Sequence, residues 1–184
     1  MSARQLLQLD HDFVMKGGRL NRPALAYETW GTLNARRDNC VLLFTGLSPS
    51  AHAASHPLDP SAGWWEDMVG ADKPIDTQRY FVVCINSLGS CFGSTGPASI
   101  NPSTGKVYRL DFPVLTVEDI ANSAIPILAH LDVEQVHTVV GASMGGKTAL
   151  SFALMHPERC QRLVSISCLL YTSPTPRDWM VSRM

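Results

Sequence analysis

Four runs rich in apolar and β-branched residues recur at long intervals along the chain: CVLLF from Cys40, YFVVCI from Tyr80, VHTVV from Val136 and RLVSIS from Arg162. Runs this continuous fit strands buried on both faces of a parallel sheet. Ahead of them, residues 13–15 and 24–30 flank the Gly17-Gly18 turn region and predict an antiparallel pair. Between residues 117 and 131, Ile120, Ala124, Ile127, Leu128 and Leu131 recur at three- and four-residue spacing, with Thr116 placed to cap the start and Asp119 behind it. This predicts a helix, and Pro126 inside it predicts a kink or a late start. A second helix is expected from about Met144 to Met155, ending at His156-Pro157. It joins the run at Val136 to the run at Arg162, so strand, helix and strand form a βαβ unit with a right-handed crossover.

Residues 86–115 are rich in Gly, Ser, Pro and Asn, and their embedded aromatics and Leu110 predict an ordered loop packed on the body. From about Cys168, CLLYTSPTPRDWMVSRM shows neither helical period nor alternation and resembles translated adapter or vector read-through. The expected division is therefore residues 1–167 as the amino-terminal part of a catalytic domain and 168–184 as a tail foreign to the fold. The length of 184 residues suits one domain or part of one. Fifteen Lys and Arg against sixteen Asp and Glu give a formal net charge of −1, which argues against a nucleic-acid partner. The longest apolar runs fall far short of a membrane span. The amino end has no long apolar stretch behind a basic start, so a cytoplasmic protein is expected. Five cysteines without a paired CxxC spacing read as core thiols in preference to disulfides or metal ligands.

The chemistry-bearing motif is Gly141-Ala142-Ser143-Met144-Gly145, a G-x-S-x-G sequence between a predicted strand and a predicted helix. A nucleophile on such a turn has a strained backbone, and glycines two residues to either side remove the Cβ atoms that would clash. Ser143 is the candidate nucleophile. The Met144 amide, at the start of the helix, is one candidate oxyanion donor. The second is the Leu47 amide in the loop after the Cys40 strand, with Gly46 close behind. The alternative reading makes Ser143 a helix cap on a fold relative without chemistry.

A serine nucleophile needs a base oriented by a carboxylate, in the chain order Ser, Asp or Glu, His. Only His156 follows Ser143, and thirteen helical residues put it about 20 Å away, so it is excluded as the base. His52 and His56 read as solvated loop histidines. Trp64 and Trp65 read as packing residues and Lys147 as an exposed helix former.

Beyond the elbow, residues 10–167 resemble the homoserine O-acyltransferase family. LAYETWGTLN, the long segment from GWWEDMVGADKPID to LDFPVLTVED, and VVGASMGGKTAL stand in that family's order and spacing. The resemblance implies an α/β-hydrolase fold, a mostly parallel sheet with helices on both faces, here truncated before the lid and last strands. It implies a ping-pong reaction in which Ser143 takes an acetyl or succinyl group from acyl-CoA, a co-substrate with no bound cofactor or metal. The acyl group then passes to the hydroxyl of L-homoserine, as in methionine biosynthesis, or of L-serine, as in cysteine biosynthesis. By position Ser143 matches the family nucleophile and Leu47 the loop amide. The family's catalytic Asp and His and its substrate-binding arginine fall beyond this chain, so the fragment is expected to be inactive and the intact relative a homodimer. At Thr45-Gly46 the chain departs from the His-Ala of many relatives, and GLSPSAHA resembles the branch that uses succinyl-CoA or serine. A serine esterase and a non-enzymatic scaffold remain the rival readings.

Overall fold

The computed structural model describes residues 3–166, and the tail expected over 168–184 lies outside the described residues. In chain order the strands are β1 (Gln5–Gln8), β2 (Phe13–Met15), β3 (Gly18–Leu20), β4 (Ala24–Trp30), β5 (Cys40–Phe44), β6 (Val69–Gly70), β7 (Ile75–Asp76), β8 (Phe81–Ile85), β9 (Ile100–Asn101), β10 (Lys106–Val107), β11 (Val136–Ala142) and β12 (Leu163–Ile166). The helices are α1 (Val117–Asn122), α2 (Ala124–His130) and α3 (Met144–Met155).

All four apolar runs become strands of one six-stranded sheet of order β1-β4-β8-β5-β11-β12, though β12 lies exposed where its run predicts burial on both faces. Strands β8, β5, β11 and β12 are mutually parallel, and β4 and β1 continue the sheet antiparallel. The expected pairing of 13–15 with 24–30 is corrected. β2 turns back at once through Lys16-Gly17 and pairs with β3, Met15 opposite Gly18. A two-residue loop costs less closure entropy than a longer one, and the local hairpin leaves β4 free to join β1 and β8. Strand β1 gives no apolar alternation because it lies largely exposed at the sheet edge.

The expected helix over 117–131 divides at Ser123 into α1 and α2. Pro126 lacks an N–H and its ring crowds the carbonyl four residues back, at Asn122; as the third residue of α2 it occupies a position whose N–H has no helical acceptor. Thr116 and Asp119 form the expected capping box, and Asp119 also accepts from the Lys16 N–H (3.0 Å), tying the hairpin to the helix.

Side chains alternate between two cores. Cys40, Leu42, Phe44, Val83, Ile85 and Val139 meet α1, α2 and α3 through Ala121, Ile127, Leu128, Ala149 and Phe152. Val41, Leu43, Val82, Cys84 and Val140 face the other way and meet Ala53, Ala54, Val69 and Ile75 from the long connection between β5 and β8. Among the described residues the helices thus lie on one face, and a folded loop covers much of the other. Residues 86–115 are ordered, with Ser94 and Tyr108 buried, but Leu110 is fully exposed; Tyr108 and Phe112 pack on the first core in its place. Cys40 and Cys84 are core thiols, burial pushing Cys40 up to about 12, whereas Cys91 is exposed and Cys160 half-buried.

Candidate active site

β11 ends at Ala142 and α3 begins at Met144, so Ser143 alone makes the turn. Its backbone holds φ 57°, ψ −121°, a conformation costly for any residue with a Cβ. A Cβ on Gly141 would lie 2.0 Å from the Gly145 carbonyl oxygen, and one on Gly145 would lie 2.3 Å from the Phe44 carbonyl oxygen at the end of β5. Glycine at both positions is therefore a steric requirement. The turn is pinned by the Ser143 N–H donating to the Ile166 carbonyl (2.9 Å) and the Gly146 N–H donating to the Ser143 carbonyl (3.0 Å). Ser143 is exposed, and its side chain makes no capping hydrogen bond to α3. The helix-cap reading is thereby removed.

Met144 opens a twelve-residue helix, where no backbone carbonyl among the described residues takes its N–H and the positive end of the helix dipole lies. Gly46 stands against the elbow from the neighbouring strand: a Cβ on it would be 3.7 Å from the Ala142 carbonyl oxygen. Leu47 follows with 77% of its surface exposed, and no backbone carbonyl among the described residues takes its N–H. Both candidate amides thus belong to segments at the carboxyl ends of adjacent parallel strands, where ligands of open α/β sheets bind. Beneath them Thr45 is buried, its Oγ1 3.2 Å from Ser87 Oγ after β8.

The loop that carries Leu47 is stapled along its length. Asn86 Nδ2 donates to the Pro49 carbonyl (3.4 Å), Trp64 Nε1 to the Ser50 carbonyl (2.9 Å) and Trp30 Nε1 to the Ser55 carbonyl (3.1 Å). Trp64 and Trp65 stack at 5.1 Å and pack on the second core. Glu66 accepts from the Ser55 N–H (2.7 Å), the Ser55 hydroxyl (2.8 Å) and the Gly63 N–H (3.0 Å), with Lys73 Nζ at 3.3 Å. The Gly63 and Ser55 bonds hold its carboxyl down to about 2.

His52 is not the solvated histidine expected. Its side chain is 15% exposed, its Nδ1 stands 2.8 Å from Glu28 Oε2 and its Nε2 stands 2.9 Å from the Ser61 carbonyl oxygen. Glu28, on β4, is 3% exposed. A signal for this pair lay in the strand: in ALAYETW, Glu28 is in phase with Trp30, so it faces the core and needs a partner. His56 bonds within its own loop. His156, at the far end of α3, meets Asn122 Oδ1 at 2.9 Å, in keeping with its exclusion as the base. Lys147 is half-buried. Among the described residues no side chain hydrogen-bonds the Ser143 hydroxyl, and no group of three His, Cys, Asp or Glu could hold a metal.

A family model described as alpha/beta hydrolase fold matches residues 39–184. The serine O-succinyltransferase of Litchfieldella anticariensis is 57% identical over 173 residues, covering 94% of this chain and 47% of the relative. The L-serine/homoserine O-acetyltransferase of Streptomyces lavendulae is 52% identical over 94% of this chain and 46% of its own length. Among solved structures, the homoserine O-acetyltransferase from Bacillus anthracis superposes with a TM-score of 0.79 at 34% identity, covering 89% of this chain and 46% of that one. Esterase E22 superposes with the same TM-score of 0.79 at 34% identity, over 86% of this chain and 45% of that one. The chain spans about half the length of the curated relatives it matches. Among the described residues no helix is long and apolar enough to cross a membrane.

Proposed function

The chain belongs to the α/β-hydrolase fold family, and from that premise we propose that a full-length protein carrying it moves an acyl group from acyl-CoA, through Ser143, to the hydroxyl of an amino acid. L-Serine is the favoured acceptor and succinyl the favoured group, since the relatives sharing 54–58% of residues bear the name serine O-succinyltransferase. L-Homoserine and acetyl are the alternatives, on the names of the Streptomyces and Bacillus proteins.

The observation that carries the reading is the exposed, non-capping Ser143 on a strained turn that two glycines alone permit. Ser143 Oγ attacks the thioester carbonyl carbon and its proton passes to a base supplied from outside residues 3–166. The amides of Met144 and Leu47 meet the oxyanion. The C–S bond breaks, CoA leaves as the thiol with that proton, and the acyl group rests on Ser143. The acceptor hydroxyl then attacks this ester, gives its proton to the same base, and restores the serine.

CoA release is the measurement. A full-length protein carrying this segment, given succinyl-CoA or acetyl-CoA, should release CoA in proportion to added L-serine or L-homoserine, and Ser143→Ala should lower kcat/KM by at least about 1,000-fold. Release indifferent to either amino acid favours the second reading, a serine esterase, to which the likeness to esterase E22 lends support. Absence of covalent labelling of Ser143 by a fluorophosphonate would sink both.

A further inference from the structure

Glu28 projects from β4 opposite Cys84 of β8, into a cluster of Val, Leu, Trp and Ala side chains. A carboxylate there is tolerated only with a partner that matches its charge and its hydrogen bonds. His52 is that partner, and it is met on both sides by acceptors: the Glu28 carboxylate at Nδ1 and the Ser61 carbonyl at Nε2. A neutral imidazole has one N–H and satisfies one of them; only the imidazolium donates to both. The backbone of His52 is held as well, its N–H donating to Ser50 Oγ (3.2 Å) and its carbonyl accepting from the Trp64 N–H (3.3 Å). Ser50 is in turn fixed by Trp64 Nε1. Three residues upstream of Ser50 stands Leu47, exposed and without packing of its own.

We infer that His52, doubly protonated between Glu28 and the Ser61 carbonyl, is a positioning residue for acyl transfer, because it clamps to the sheet the loop that aims the Leu47 amide at the acyl oxygen. The inference rests on the function proposed above. Glu28 from β4 and Asp59 from the loop itself are the charged groups that face the ring; Glu66 and Lys73 are engaged with each other at 3.3 Å. Burial pulls the His52 ring down, but the Glu28 bond, the Ser61 carbonyl bond and the charges of Glu28 and Asp59 together raise it above its ordinary 6.5. A pKa raised on folding means that the clamp is complete below 6.5 and is lost as pH rises through the folded value. Acyl transfer therefore carries an alkaline limb set by His52, separate from any limb set by the base.

The test uses a full-length protein carrying this segment. Nitrogen-15 NMR of the ring should find both His52 nitrogens protonated at about pH 6, below its ordinary 6.5. His52→Asn should lower kcat by about 10- to 100-fold, up to the loss of one oxyanion donor, and leave KM for acyl-CoA within about threefold. Glu28→Gln keeps the shape and removes the charge, so it should move the alkaline limb of kcat to lower pH. This second variant decides the matter if His52→Asn fails to fold. A neutral His52 at about pH 6, a parallel rise in KM with unchanged kcat, or an alkaline limb that Glu28→Gln leaves in place overturns the inference while the proposed function stands. No acyl transfer by the unsubstituted protein takes down both.

Discussion

At Ser143 the backbone conformation, φ 57° and ψ −121°, stores strain on the order of 1–3 kcal/mol that the surrounding turn over-determines. Ser143→Gly should release it, and after glycine's own entropic cost of about 0.5–1 kcal/mol the variant should gain roughly 1 kcal/mol in urea denaturation. Ser143→Ala keeps the Cβ and the strain, so its stability should stay within about 0.5 kcal/mol of the parent. In a full-length protein carrying the segment, both variants should lose the proposed acyl transfer. Equal stability for Gly and Ala would show that no strain is held there. The elbow was legible in the sequence because its requirement is local: Gly141 and Gly145 sit two residues either side of Ser143, and a Cβ on either would collide with backbone. For Glu28 the strand phase signals a buried carboxylate but not its partner, because His52 lies 24 residues away and meets it only where the loop folds over β4 and β8.

Among the elements, those read correctly are the ones whose burial writes a pattern into the chain. β5 and β8 are buried almost throughout, and a strand covered on both faces can only be a continuous apolar run. β1 and β3, largely exposed, write no such pattern, which is why the sequence predicts a pairing of β2 with β4 where the structure pairs β2 with β3 and β4 with β1. The connection between β5 and β8 was less legible still, because polar bonds rather than periodicity order it, Glu66 being the main anchor. With its carboxyl held near 2 against an ordinary 4.5, the contribution of Glu66 is whole above pH 4.5 and fades as pH falls through about 2. Hydrogen exchange at the Ser55 and Gly63 amides should therefore quicken, relative to intrinsic rates, as pH drops through that window. In Glu66→Gln the same amides should be less protected already at neutral pH and respond less to acid. An identical acid response in the two proteins would refute the anchor.

For the molecule as a whole, the two sheet faces are unequally covered. The helical face is closed over β5 and β11 by α1 and α3, whereas on the other face the loop reaches β4, β8, β5 and Val140 of β11 and stops short of β12. Val140, Val164 and Ile166 are left lining a groove of about 230 Å³ with Met68, Ile75 and Tyr80. β12 has a neighbour on one side only among the described residues, and Leu163, Val164 and Ile166 are each 37–42% exposed. Parallel strands are normally buried on both faces, and an open apolar edge offers unpaired backbone to any other chain. Residues 1–184 on their own should therefore self-associate, with a sedimentation coefficient that rises with concentration across the micromolar range. Val164→Lys sets a charge in the groove beside the edge and should lower that association without touching the elbow, since the bond that pins Ser143 comes from the Ile166 carbonyl. In a full-length protein carrying the segment the same substitution should instead destabilise, because the lysine would be buried wherever downstream chain covers the groove. A monomeric 1–184 chain at every concentration, or equal effects of Val164→Lys in the two settings, would mean that this face is already complete as it stands.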